Sequence, residues 1–512
     1  MIPLMVTLAA CGSGGGSDSG SSSSSSSGGG RPSTGWQAGV FQPSANFNAR
    51  CANPRAGTTD RPGTVVDQNN WLRSWTNEFY LWYSEVTDRN PALYTTANYF
   101  ELLRSEATTP SGRPKDKFHF TYDTAVWQAL SQGGIEAGYG AEFEILAGIP
   151  PRRVVVVYTE PGSPAASVLS RGDELVQIDG AAVVNGDANV LNNGLFPETT
   201  GENHTFVVRD TAGVQRTVQL TSATITRVPV PVVTTFTTPS GPVGYIQFND
   251  HIATSEGQLV NAINTVAAAN VTDLILDLRY NGGGYLDIAN ELSYMIANRT
   301  LTAGRTFERL VFNDKHPSRN PITGELLTPT PFHTTTQGFP GTAAGVPLPS
   351  LDLDRVYILT GPGTCSASES IINGLRGVNV AVYLIGSTTC GKPYGFYPED
   401  NCGTTYFSIQ FRGENAANFG DYSDGFSPAN QSSPGTTLPG CSVADDYSHE
   451  LGDPAEARIA AALAFRASNN QSCPAASGVS DPRLSKSSFM YEGVENQRVS
   501  KPAARLNRIV QR

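Results

Sequence analysis

The segment DLILDLRYNGGG, residues 273–284, begins as an apolar run and ends in a glycine-rich loop. A short apolar run that stops at such a loop predicts a buried β-strand. The same pattern of strand, loop and helix recurs on both sides of this segment. Strands are predicted at residues 244–248, 273–278, 354–360 and 380–385, and helices at 258–269, 366–375 and after the loop as far as Ile296. This alternation predicts an α/β fold in which helices cover a layered sheet.

Three loops follow predicted strands, and they carry the residues with the most chemistry. They are Asn281–Gly284, Thr364–Glu369 and Cys390–Lys392. The carboxyl ends of parallel strands lie at one edge of a sheet, so neighbouring strands would bring these loops into one cleft. Ser366 would stand at a helix N-terminus, where N–H groups favour a developing anion, and the glycine loop can offer a further N–H. Serine, two such donors and an amine indicate an acyl-transfer site.

A helical region and a strand-rich region are predicted before the α/β region. In residues 71–103, aromatic and apolar residues recur every three or four positions, which predicts short helices with a packed core. Residues 138–222 predict strands, beginning with the run RVVVVY at 153–158. The following motifs GSPA (162–165) and GDELVQIDG (172–180) resemble those of PDZ domains.

The motifs DLRYNGGG (277–284), SASE (366–369) and GKP (391–393), together with the PDZ-like motifs, resemble the C-terminal processing peptidases. These are serine peptidases of the S41 type with a Ser-Lys dyad, and the resemblance extends over about residues 70–430. It implies a catalytic domain of the ClpP/crotonase-like type that needs no cofactor or metal. It also implies these roles: Ser366 as nucleophile, Lys392 as general base, the N–H groups of Gly283 and Ala367 as oxyanion hole, and Glu369 as an orienting group.

A lysine base has a physical requirement. A solvated lysine titrates near pH 10.4, so Lys392 can accept the serine proton only if burial disfavours its charge. The prediction is a desolvated amine that does not pair closely with the carboxylate of Glu369.

Other residues compete for the same roles. Cys365 could be a thiol nucleophile or a disulfide partner of Cys390 or Cys402, and Ser368 could be the nucleophile. His119 or His251 could serve as base in a Ser-His variant of the same hydrolase. A different class of function, a catalytically silent peptide-binding protein on this scaffold, also stays open.

The PDZ resemblance implies a peptide site. Such domains bind peptides by strand addition and hold the terminal carboxylate with backbone N–H groups. The loop that would do so contains Gly138, Tyr139, Gly140 and Ala141. The expected partners are therefore proteins or peptides with accessible C-terminal ends. With a net charge of −11, the chain is not expected to bind nucleic acid.

The N-terminus resembles that of bacterial lipoproteins. An apolar run ends in Leu8-Ala9-Ala10-Cys11, and a Gly/Ser tract follows as a flexible tether. Acylation of Cys11 would anchor the protein in the bacterial cell envelope, at the outer membrane, facing the periplasm or the cell surface. The other six cysteines suit disulfides in an oxidising compartment, although their pairing cannot be deduced from sequence.

The predicted divisions are a leader and lipobox (1–11), a tether (12–50), a helical N-terminal domain (51–130), a PDZ-like domain (135–225), a serine peptidase domain (226–470) and a basic, disordered tail (471–512). The basic character of the tail comes from residues 481–512, which hold seven Lys/Arg and three Asp/Glu.

Overall fold

The computed structural model describes residues 36–430, 433–477, 499 and 508–510. Cys11 and the Gly/Ser tract lie outside the described residues. Among the described helices, none combines the length and apolarity needed to cross a membrane.

The N-terminal region, residues 36–134, packs an aromatic cluster against the rest of the chain. Its strands and helices are β1 (Arg50–Cys51), β2 (Arg61–Pro62), α1 (Val65–Phe79), α2 (Thr96–Glu101), β3 (Phe120–Asp123) and α3 (Thr124–Gly133). Thr64 and Asp67 form a capping box that starts α1. The buried side chains of Trp71, Trp75 and Phe100 cluster with Tyr406 from a distant part of the chain. The predicted aromatic core is therefore confirmed, and the disulfide between Cys51 and Cys402 fixes the same contact covalently.

The β-rich region, residues 135–226, is built on an antiparallel sheet. Its elements are β4 (Ile135–Gly138), β5 (Ala141–Ala147), β6 (Arg153–Thr159), β7 (Glu174–Ile178), β8 (Ala181–Ala182), α4 (Ala188–Leu195), β9 (Asn203–Arg209), β10 (Gln215–Thr221) and β11 (Ala223–Thr226). The sheet order is β10-β9-β7-β6-β5, so β5 is an edge strand. The motif at 162–165 leads into a short 3-10 helix, Ala165–Ser167.

The α/β region spans residues 227–477. Its strands are β12 (Val233–Phe236), β13 (Val243–Gln247), β14 (Asp273–Asp277), β15 (Gly283–Tyr285), β16 (Thr306–Phe312), β17 (Thr330–Pro331), β18 (Arg355–Thr360), β19 (Ala381–Gly386), β20 (Tyr394–Gly395), β21 (Glu399–Asn401), β22 (Thr404–Phe407), β23 (Phe411–Glu414), β24 (Phe426–Pro428), β25 (Thr436–Leu438) and β26 (Gly440–Ser442), with β27 (Arg508–Val510) added from the C-terminal segment. Its helices are α5 (Ser255–Ala268), α6 (Leu286–Ile296), α7 (Arg299–Thr302), α8 (Ala367–Gly377) and α9 (Ala457–Ala467).

The main sheet has the order β12-β13-β14-β18-β19-β26, and its strands are parallel except for β12. Successive residues of a strand point to opposite faces. Leu274 and Leu276 of β14 accordingly belong to the cluster that contains α5, α6 and α8, whereas Ile275 belongs to the cluster with α9. The predicted α/β fold is confirmed, because helices cover both faces.

An ion-pair network joins the β-rich region to the α/β region. The buried guanidinium of Arg171 donates to Asp445 at 2.9 Å and to the hydroxyl of Tyr280 at 2.8 Å. Asp445 also accepts from Arg279, which is paired with Glu456. These cations hold the pKa of the Asp445 carboxyl well below its usual value despite its burial. The β-rich region is therefore fixed directly beside Tyr280, one residue before the glycine-rich loop.

Parts of the predicted tail, residues 471–477, 499 and 508–510, lie within the described residues. A disulfide joins Cys473 to Cys441 at the end of the main sheet. Further on, β27 pairs with β15.

A pair of buried carboxyls yields a prediction for stability. Glu256 and Glu291 both accept from the N–H of Gln337, at 2.6 and 2.8 Å. Burial and the hydrogen bond to Glu256 raise the pKa of Glu291 to about 9. The folded chain therefore retains a proton that the unfolded chain releases near its ordinary pKa, and the stabilisation is lost as the pH rises through about 9. We expect the thermal midpoint to fall between pH 6 and pH 9 in the wild type and to fall less in Glu291→Gln. The exposed Glu106→Gln is the control, and an unchanged fall in Glu291→Gln would contradict the assignment.

Candidate active site

The three loops singled out in the sequence meet at one edge of the main sheet. They follow β14, β18 and β19, which are neighbours in the sheet order. The N–H of Cys365 donates to the carbonyl of Asn281 at 3.1 Å, and the N–H of Cys390 donates to the carbonyl of Thr364 at 3.0 Å. A disulfide between Cys365 and Cys390 links the second loop to the third. The prediction that these loops come together is confirmed.

Ser366 stands at the turn between β18 and α8. Its backbone has φ of 67°, a left-handed conformation that is unusual for serine and costs conformational energy. The residue is fully buried, and its Oγ makes no hydrogen bond with any described residue. A buried hydroxyl without a partner is costly, so its retention at a strained turn indicates a use other than stability.

Lys392 is the second buried group without a partner. Its Nζ makes no hydrogen bond within the described chain and lies 4.2 Å from the ring centre of Phe396 and 4.9 Å from that of Phe118. Burial lowers the pKa of Lys392 well below its usual value, and the charges of Asp116 and Glu369 oppose this only in part. The amine is therefore desolvated, as a lysine base requires, and it is not hydrogen-bonded to Ser366 Oγ.

Glu369 joins the two loops through backbone contacts. Its carboxylate accepts from the N–H groups of Ser366 at 3.0 Å, Gly391 at 2.9 Å and Lys392 at 2.8 Å, and from the Thr389 hydroxyl. These bonds occupy the carboxylate, and no ion pair with the Lys392 amine is formed among the described residues. Glu369 thus positions the backbones of both candidate catalytic residues without restoring the charge of the amine.

Replacing Glu369 by glutamine should destabilise these loops. The amide has one acceptor oxygen, and its NH2 would face backbone donors, so at least one buried N–H would lose its partner. We expect the free energy of unfolding to fall by roughly 3 kcal/mol, measured by urea denaturation. The exposed Glu106→Gln should leave it unchanged. Wild-type stability of Glu369→Gln would show that the carboxylate does not hold the loops.

The two backbone N–H groups predicted to form the oxyanion hole differ in their hydrogen-bond partners. Ala367 is the first residue of α8, where N–H groups have no partner within the helix. The N–H of Gly283 instead donates to Oδ1 of Asn281 at 2.9 Å, in the turn that asparagine forms with the residue two positions later. The role of Gly283 as an oxyanion donor stays a prediction, and it would require this N–H to turn away from Asn281.

Asn281 is a residue that the sequence reasoning missed. Its Oδ1 accepts from Gly283 and lies 2.9 Å from Nδ1 of His251, its Nδ2 donates to the carbonyl of Phe248, and its carbonyl accepts from Ser368 Oγ at 3.1 Å. It therefore connects the glycine loop to the serine loop. The sequence feature that could have indicated this role is an asparagine immediately before consecutive glycines, because asparagine side chains commonly accept the hydrogen bond that closes such turns.

The competing side chains have other contacts, although Nδ1 of His119 and Nε2 of His251 have no hydrogen-bond partner among the described residues. Cys365 is in a disulfide, and the hydroxyl of Ser368 is bonded to Asn281. His119 Nε2 lies 2.9 Å from the carbonyl of Phe100, and burial lowers the pKa of His119 to about 4. Burial also lowers the pKa of His251 to about 3. None of these four side chains makes a hydrogen bond to Ser366 Oγ.

A second buried lysine lies close by. Nζ of Lys117 donates to the carbonyl of Cys390 at 2.7 Å, and burial lowers the pKa of Lys117 to about 7. Its neighbours in sequence, Asp116 and Phe118, form no recognisable motif with it. Its contact supports the loop that carries Lys392.

One group of described residues has the spacing of metal ligands, namely Cys365, Glu369 and Cys390. The two sulfurs are bonded to each other, so neither is a thiolate that could bind a metal. The disulfide-bonded site does not fit a metal ion.

The loop predicted to hold a peptide carboxylate lies at the start of edge strand β5. Gly138 ends β4 and Ala141 begins β5. Gly140 has φ of 73°, a conformation that suits glycine in this turn. Tyr139 is buried, and its hydroxyl donates to the carbonyl of Gly194 at 2.9 Å. Only the backbone of this loop is therefore placed to contact a peptide.

Comparisons with known proteins agree with this arrangement. Residues 242–395 match the family model of peptidase family S41. A C-terminal processing peptidase from the chloroplast of Tetradesmus obliquus is 30% identical over 190 residues, which cover 33% of this chain and 39% of that protein. The chain thus matches about two fifths of the length of this curated relative. A Bacteroides fragilis NCTC 9343 structure described as an S41 protease has 21% identity, covers 78% of this chain and 98% of its own, and gives a TM-score of 0.57. The residues that match the family model include Asn281, Ser366 and Lys392.

Proposed function

We propose that the protein is a serine-type endopeptidase in which Ser366 is the nucleophile and Lys392 the general base. The observation that carries the proposal is the pair of fully buried polar atoms, Ser366 Oγ and Lys392 Nζ, that lack hydrogen-bond partners at the ends of neighbouring strands. The match of residues 242–395 to the model of peptidase family S41 supports the same chemistry.

The reaction would proceed in two stages. Ser366 Oγ attacks the peptide carbonyl carbon and gives its proton to Lys392 Nζ. The oxyanion is stabilised by Ala367 N–H and by the glycine loop once an N–H there is turned toward it. The C–N bond breaks and the amine leaves with the proton from Lys392. A water molecule then attacks the acyl-enzyme and gives a proton to Lys392, and the ester bond breaks as Ser366 regains a proton.

We also propose a PDZ-like role for the β-rich region. Its support is β5, which is an edge strand among the described strands, and the backbone of the loop at Gly138–Ala141 before it. Substrates would be proteins with accessible C-terminal or unfolded segments. The Arg171 network would keep this region beside the cleft.

The proposed location is the bacterial cell envelope, with a lipid on Cys11. Three disulfides support folding in an oxidising compartment. Cys11→Ser should move the protein from the membrane fraction to the soluble fraction, and retention in the membrane fraction would overturn the anchor.

The activity can be tested with an unfolded reporter protein and a fluorophosphonate probe. We expect the wild type to cleave the reporter, and Ser366 Oγ to displace fluoride so that its tryptic peptide gains the mass of the phosphonyl group. Amidation of a reporter peptide's C-terminus should lower kcat/KM about tenfold if the carboxylate is recognised. A wild-type protein that neither cleaves the reporter nor reacts with the probe, but still binds the peptide, would be the catalytically silent alternative.

A further inference from the structure

Part of the C-terminal segment lies in the candidate active site. The backbone of β27, Arg508–Val510, pairs in parallel with β15, in the register Gly283 with Arg508, Gly284 with Ile509 and Tyr285 with Val510. β15 starts within the glycine loop that was predicted to supply the oxyanion hole. β27 also contacts β20, which begins two residues after Lys392. A segment of this chain thus runs between the glycine loop and the strand that follows the candidate base.

The pairing uses the edge of β15 that faces the cleft. On the other edge, the N–H of His251 donates to the carbonyl of Gly283, and the N–H of Tyr285 donates to the carbonyl of His251. Because backbone groups alternate along a strand, the N–H and C=O of Gly284 point to the opposite edge, where Ile509 is its partner. This is the edge that an extended peptide would need in order to add a strand beside Ser366.

A second contact of the same segment lies on the β-rich region. Val499 is 1% exposed and belongs to the apolar cluster of that region, together with Phe143. Its N–H donates to the carbonyl of Gly148, directly after edge strand β5, at 3.0 Å. The described parts of the segment therefore contact two exposed ends of backbone pairing, the carbonyl that follows edge strand β5 and the edge of β15.

Charge also favours this arrangement. Residues 481–512 hold seven Lys/Arg and three Asp/Glu, whereas the whole chain has a net charge of −11. The segment is thus a cationic peptide attached to an acidic body. Because this peptide and the site belong to one chain, its effective concentration there is of the order of millimolar, which makes even a weak ligand competitive.

We propose that the C-terminal segment, through Val499 and Arg508–Val510, is an intramolecular ligand that binds in place of a peptide substrate and inhibits the enzyme. The inhibition rests on the proposed peptidase function, whereas the docking rests on the backbone contacts alone. Strand addition explains how one site accepts both this segment and substrates of other sequence, since the shared contacts are made by the backbone.

Two variants test the proposal in the otherwise full chain. Truncation after Ser477 removes both contacts, and Val510→Pro removes a single N–H from the strand that pairs with β15. Both should raise kcat/KM for the unfolded reporter, the truncation by about tenfold, and a synthetic peptide of residues 499–512 should inhibit the truncated enzyme competitively. Ala475→Pro, at an exposed position of the same segment outside the cleft, is the matched control and should behave as the wild type.

Hydrogen exchange measures docking independently of catalysis. In a Ser366→Ala background, the Gly284 amide should be protected in the full chain and exchange faster after truncation and in Val510→Pro. Unchanged exchange would overturn the docking, and faster exchange with an unchanged cleavage rate would overturn the inhibition. If none of the proteins, the truncated one included, cleaved the reporter, the proposed function would fail and the inhibition with it, while the exchange result would still decide the docking.

Discussion

Lys392→Met is expected to lower kcat/KM for an unfolded reporter by about 10³-fold, within the range that general bases contribute. Methionine retains most of the volume between the rings of Phe118 and Phe396 but cannot accept a proton. In the wild type, kcat/KM should rise with pH as Lys392 loses its proton. Because burial lowers its pKa well below the usual value, this rise should be complete well below pH 10.4.

The same variant separates catalysis from stability. Between the lowered pKa of Lys392 and about 10.4, the unfolded chain binds a proton that the folded chain does not, so burial of this amine costs stability at neutral pH. Lys392→Met should therefore unfold at the same or a higher temperature while its activity is lost. Lys117→Met is the matched control, because its amine is also buried but bonds to a carbonyl, and we expect it to lose less than about tenfold. The reverse ranking of the two variants would assign the base to Lys117.

Ser366→Ala should cause the larger loss, about 10⁴-fold to 10⁶-fold in kcat. No acyl-enzyme can form, and the remaining rate would come from binding and from oxyanion stabilisation. Fluorophosphonate labelling should disappear together with activity. The variant should also be well folded, because Oγ makes no hydrogen bond that alanine would lose.

Two further variants test whether this loss of activity is specific to Ser366. Ser368→Ala, which removes a hydroxyl bonded to Asn281 in the same loop, should retain activity within about tenfold and remain labelled. The double variant Ser366→Ala/Lys392→Met should be about as inactive as Ser366→Ala, because residues that act as one unit are not additive. Labelling that moved to Ser368, or activity that survived in Ser366→Ala, would contradict the assignment of the nucleophile.

The sequence predicted the elements with strong periodicity well. The strands at β13, β14, β18 and β19 and the helices between them lie within a few residues of their predicted positions, since buried parallel strands consist of short apolar runs. The meeting of the three loops followed from strand order. Ser366, Glu369 and Lys392 could be selected because each lies in a short motif that follows a strand.

Contacts between distant residues could not be predicted. The residues next to Lys117 or Asn281 in the sequence do not indicate which carbonyl each side chain will contact, because those partners are set by tertiary packing. Six cysteines allow 15 pairings, and the bond from Cys51 to Cys402 depends on the aromatic contact between the N-terminal region and the rest of the chain. β27 was missed because a polar, basic stretch has no strand periodicity, and its pairing partner is more than 200 residues away.

The disulfide between Cys365 and Cys390 makes the geometry of the candidate site depend on the redox state of the compartment in which the chain folds. It joins the residue before the nucleophile to a residue two positions before the base. In an oxidising compartment, the separation of the two loops is fixed by a covalent bond, and thermal opening of the surrounding structure cannot part them. Folded among reducing thiols, the same chain would carry two cysteines beside Ser366, and the spacing of nucleophile and base would depend on packing and hydrogen bonds alone.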